Sequence, residues 1–174
     1  MKFFFKLFAV TFLLFFNTSV LAEEKIATLD LKYVLNSSKA GKGAQDFLKK
    51  SLSDNTKKFT DQEIKLKKEE SDLLAKKNTL SSEEYQKKAD ELRKKVIDYQ
   101  SARRSTLDKI ATQRAEARRK LLEAIDPILN KYITDNDIAI VIDKKYVLGG
   151  RTKLDITNLI TEELNKELPS LNLK

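Results

Sequence analysis

From Ala44 to Asp126 the chain runs for 83 residues without a Gly or a Pro, and its hydrophobic positions recur at helical spacing. Leu52, Phe59, Leu66, Leu73 and Leu80 fall seven residues apart, a heptad seam. The positions three residues on (Asn55, Gln62, Glu69, Lys76) are polar, so the seam is thin. The pattern breaks around Asn78–Ser82, where Ser81 predicts a helix N-cap and Glu84 completes a capping box. Tyr85, Leu92 and Tyr99 then repeat every seven, with Val96, Ile110, Ala117 and Ala124 on a second register. Two helices with facing seams and a short turn between them predict an antiparallel helical hairpin. A first limb of about 35 residues is about 50 Å long at 1.5 Å per residue.

The two ends follow a different pattern. Lys25-Ile26-Ala27-Thr28-Leu29-Asp30 predicts a strand, then a brief helix through Tyr33, Val34 and Leu35, with Gly41 and Gly43 flanking the launch of the first long helix. Ile138–Ile142 is apolar at every position and predicts a central strand covered on both sides. Ile138, Ile140 and Ile142 are expected on one face of it, Ala139 and Val141 on the other. Asp143-Lys144-Lys145 predicts a turn into a third strand, Tyr146-Val147-Leu148, ended by Gly149-Gly150. Asp155 is the expected N-cap of a last helix with Ile156, Leu159, Ile160 and Leu164 on one face, ending before Pro169. Pro127 should kink the return helix rather than stop it.

Three strands cannot cover themselves on both faces. The first and last pieces of the chain must therefore meet, and the small sheet needs further copies of itself. Homo-oligomerisation is expected, with Ile26, Leu29, Ile138, Ile140 and Ile142 as contact residues; the number of subunits does not follow from burial.

The N-terminus predicts a cleaved signal peptide over residues 1–22. Lys2 and Lys6 precede an apolar run from Leu7 to Phe16, and Val20-Leu21-Ala22 has the form of a cleavage site. A run of about ten residues is short for the roughly 20 that a spanning helix needs. The expected fold is α+β: a β-body from residues 23–43 and 127–174, and a hairpin arm over 44–126.

Composition narrows the chemistry. The 174 residues include no Cys, no His and no Trp, which removes disulfides, thiolate nucleophiles and the usual acid/base and metal-binding imidazole. An enzyme is not expected, and no catalytic, cofactor or metal site is assigned. Seven of the nine Phe lie in residues 1–22, so the mature chain is poor in core residues and fits an elongated or oligomeric form. The net charge is +8. Asp46–Lys120 alone holds 21 Lys and Arg against 14 Asp and Glu, so the positive excess sits on the arm. Lys87, Lys88, Arg93, Lys94, Lys95, Arg103 and Arg104 are the candidate basic surface for an acidic partner.

Ile26–Asp30, Val34-Leu35 with Ser38, Gly41 and Lys42, the charged hairpin, Val141-Ile142-Asp143-Lys144 and Leu154-Asp155-Ile156-Thr157 together resemble the Skp/OmpH family of periplasmic chaperones. The resemblance covers essentially the whole mature chain. It implies a homotrimer whose β-body forms a small barrel and whose three arms enclose a cavity. Unfolded outer-membrane β-barrel proteins would be held there without ATP, in the periplasm, with the basic residues above facing the client. An anionic lipid or lipopolysaccharide surface is a further partner left open.

Two other classes share some of these features. A nucleic-acid binder would explain the basic pairs, but export and the scarcity of arm aromatics (Phe59, Tyr85, Tyr99) argue against it, and nucleic acid is not an expected partner. A structural envelope coiled coil would explain heptads and export but not the compact ends. Gly149-Gly150 belongs to no Gly-x-x-x-x-Gly-Lys phosphate loop.

Overall fold

A computed structural model describes residues 24–173; the expected signal peptide lies outside the described residues. The order is β1 (Lys25–Leu29), α1 (Leu31–Ser37), α2 (Lys39–Ala75), α3 (Ser82–Asn136), β2 (Ile138–Asp143) and α4 (Thr157–Glu167), with 3-10 turns at Lys144–Tyr146 and Thr152–Leu154. The protein is mostly helical with one small sheet, as the α+β reading expects.

Capping side chains set the helix starts. The Asp30 carboxylate accepts from the Tyr33 N–H at 2.8 Å and opens α1. The Ser38 hydroxyl, fully buried, accepts from the Gly41 N–H at 3.2 Å and opens α2. Gly41 is wedged where α1 turns into α2: a Cβ there would sit 1.9 Å from the Leu35 carbonyl oxygen. At the hairpin tip the capping box is complete. The Glu84 N–H donates to the Ser81 hydroxyl at 3.3 Å, and the Ser81 N–H donates to the Glu84 carboxylate at 3.2 Å. α3 runs through Pro127 without stopping and ends at Asp137, whose left-handed backbone (φ 53°) closes the C-terminus.

β1 and β2 pair in parallel, so the whole helical hairpin lies in the crossover between them. The C-terminal segment is stitched to the N-terminal elements. The Ile156 N–H donates to the Thr28 carbonyl at 2.9 Å, and the Asp30 N–H to the Thr157 hydroxyl at 2.9 Å. The Lys39 N–H donates to the Asn165 side chain at 2.6 Å. The core under this sheet gathers Leu29, Val34, Leu121, Ile125, Ile160 and Leu164 from four elements. Full burial of a side chain the size of Ile160 or Leu164 contributes about 1.5–3 kcal/mol.

Four sequence expectations change here. Tyr146-Val147-Leu148 is no strand: Lys144–Tyr146 forms a 3-10 turn, because the Asp143 carboxylate caps the Lys145 N–H at 3.0 Å and curls the chain. The sheet has two strands, so β2 is paired on one side only and is not central among the described residues. The three isoleucines do not share a face. Ile26 pairs with Ile140 but Lys25 with Ile138, a register irregularity that turns Ile138 toward the core beside Val141. Finally, α4 begins at Thr157; Asp155 sits before the cap position and accepts from the Thr157 N–H at 3.0 Å, while Leu159, expected on the buried face, is 41% exposed.

Candidate functional site

Two surfaces carry chemistry beyond the core, the outer face of the sheet and the hairpin. On the sheet, Ile26 is 44% exposed and its register partner Ile140 is 52% exposed. Ile138 and Ile142 are half-buried, and Leu29 lies inside the core of its own chain. The geometry adds two residues that were read only as strand: Tyr146, 75% exposed, and Leu148, fully exposed. The Lys145 ammonium lies 4.7 Å from the Tyr146 ring centre, a cation–π contact. Their signal in the sequence was an apolar triplet between Lys145 and Gly149. Behind this surface, Lys144 bonds Asp155 at 2.6 Å. Burial pushes the Asp155 carboxyl up, but the bonds from Lys144 and Thr157 outweigh it, leaving the group below its ordinary value.

The hairpin seam is as thin as the heptads predict. Phe59, Ile110 and Ala117 are fully buried in it, whereas Leu66, Leu73, Leu92 and Tyr99 are only half-buried. Phe59 and Tyr99 meet edge to face with ring centres 6.0 Å apart. The Tyr99 hydroxyl donates to Glu63 at 3.4 Å, and Lys67 bonds the same carboxylate at 2.7 Å. Lys67, and less strongly Tyr99 and Arg103, hold the Glu63 carboxyl below its ordinary value; Glu63 in turn raises Lys67.

The seven candidate basic residues are distributed over several places on the arm. Arg93 and Arg103 line a groove of about 620 Å³ between the two helices, floored by Leu66, Leu73, Leu92 and Val96. Lys95 reaches across the hairpin to Glu69 at 2.6 Å, in a more polar cleft with Gln62, Lys65 and Asp98. Lys87 and Lys94 flank a shallow surface near the tip, with Glu83, Asp90 and Glu91. Lys88 and Arg104 are exposed. A further groove of about 670 Å³ lies where α3 and α4 meet. Its rim sets Lys131 against Asp135, Glu163 and Glu167, the charge balance opposite to that of the arm.

Among the described residues no group of three or more His, Cys, Asp or Glu is placed to hold a metal ion. Among the same residues no helix is long and apolar enough to cross a membrane. A two-stranded sheet tied to the C-terminal segment, with a long basic hairpin inserted between its strands, defines a body-and-arm protein of the helical-hairpin class. Residues 25–164 match the family model "Outer membrane protein (OmpH-like)", and the chain belongs to that family. Among solved structures, an OmpH-like protein from Caulobacter crescentus CB15, described as an outer membrane chaperone, superposes with a TM-score of 0.77. It is 18% identical, and the match covers 87% of this chain and 89% of that one, so the likeness is one of fold. No curated protein matches the sequence significantly.

Proposed function

We propose that this protein is a periplasmic holdase chaperone, exported by a cleaved signal peptide. It encloses unfolded outer-membrane β-barrel proteins between basic helical arms without using ATP. The observation that carries the reading is the arm itself. It is a hairpin with an excess of seven positive charges whose seam holds two helices together and leaves most of their surface unclaimed. An isolated coiled-coil surface is stabilised by balanced pairs worth about 0.2–0.5 kcal/mol each, which gives no reason for such an imbalance. A field of that sign attracts an acidic chain over about 8–10 Å at physiological salt. Family membership supports the same role.

One arm cannot enclose anything, so the reading needs several copies, three by resemblance to the family. The exposed Ile26 and Ile140, the unpaired edge of β2 and the projecting Leu148 supply an apolar, hydrogen-bonding surface for self-association. The arm, residues 44–126, extends from the body, with Leu121 and Ile125 rooting it in the body's core.

The test is the mass of the mature protein in solution, alone and with a urea-unfolded outer-membrane barrel protein, together with light scattering of the diluted client. An oligomer that takes up client and suppresses scattering is expected. A monomer that leaves the client to aggregate would overturn the proposal.

A further inference from the structure

We draw no further inference here: the strongest candidate, the groove of about 670 Å³ where α3 and α4 meet, has its rim carboxylates Asp135 and Glu163 already paired with Lys131 and Lys166, and nothing in the structure shows what covers its apolar floor.

Discussion

Gly41 and Gly43 lie two residues apart in the first turns of α2, and the same substitution should act on them with opposite sign. Replacing Gly by Ala inside a helix contributes about 0.5–1 kcal/mol through backbone entropy. At Gly43 a new Cβ meets nothing within 4 Å, so Gly43→Ala should stabilise by about that amount. At Gly41 the Cβ would lie 1.9 Å from the Leu35 carbonyl oxygen and 2.9 Å from the Ser38 hydroxyl. The nearest obstacle is backbone, so no rotamer change relieves it, and α1 must move off α2 by more than 1 Å. Overpacking of that kind costs about 1–3 kcal/mol. The movement also opens the Ser38–Gly41 cap, worth about 1 kcal/mol more. Set against the helix gain, Gly41→Ala should destabilise by about 1–3 kcal/mol. The assay is urea unfolding followed by circular dichroism, at one protein concentration because association shifts apparent stability. For a folded unit of about 150 residues, each kcal/mol moves Tm by about 2–4 °C. A Gly41→Ala midpoint equal to or above that of the parent would refute the close-approach argument.

Three further outcomes follow from the same geometry. Ile140→Asp, at an exposed site on the sheet, should leave helical circular dichroism intact but shift sedimentation to monomer; an unchanged oligomer would place the interface elsewhere. At the hairpin tip, the hydroxyl and N–H of Ser81 hold the Glu84 carboxyl below its ordinary value of 4.5. That contribution is present above pH 4.5 and is lost as pH falls through the lowered value. Glu84→Gln should therefore speed amide exchange at Ser82–Lys88 at pH 7, with the difference from the parent closing in acid. Reversing Arg93, Lys94 and Lys95 to Glu changes the arm by six charges and should slow client capture. Raising salt to about 0.5 M, where the Debye length is about 4 Å, should slow the parent in the same way; a salt-independent capture rate would sink the electrostatic attraction.

Local pattern was enough for the long helices of the arm. The 83 residues without Gly or Pro, the seven-residue spacing from Leu52 to Leu80 and the Ser81–Glu84 pair each act within a few turns of helix, so the hairpin and its tip could be read directly. Both ends being too small to bury themselves also required β1 and α4 to meet, as the Ile156-to-Thr28 bond shows. Other features depend on partners far along the chain. Ile138 turns to the core and Ile140 to solvent because the register against β1 slips between Lys25 and Ile26, and period-two alternation within one strand cannot report such a slip. Tyr146-Val147-Leu148 has a strand's composition, but among the described residues no neighbouring strand receives it. Gly41 reads as an ordinary helix-start glycine until α1 folds back to within 1.9 Å of its missing Cβ. In sequence the basic excess is spread in clusters along the arm. How α2 lies against α3 divides them, placing Arg93 and Arg103 over apolar side chains and Lys95 against Glu69 on the other side. Periodicity specifies which residues share a helix face; only packing between helices decides what that face meets.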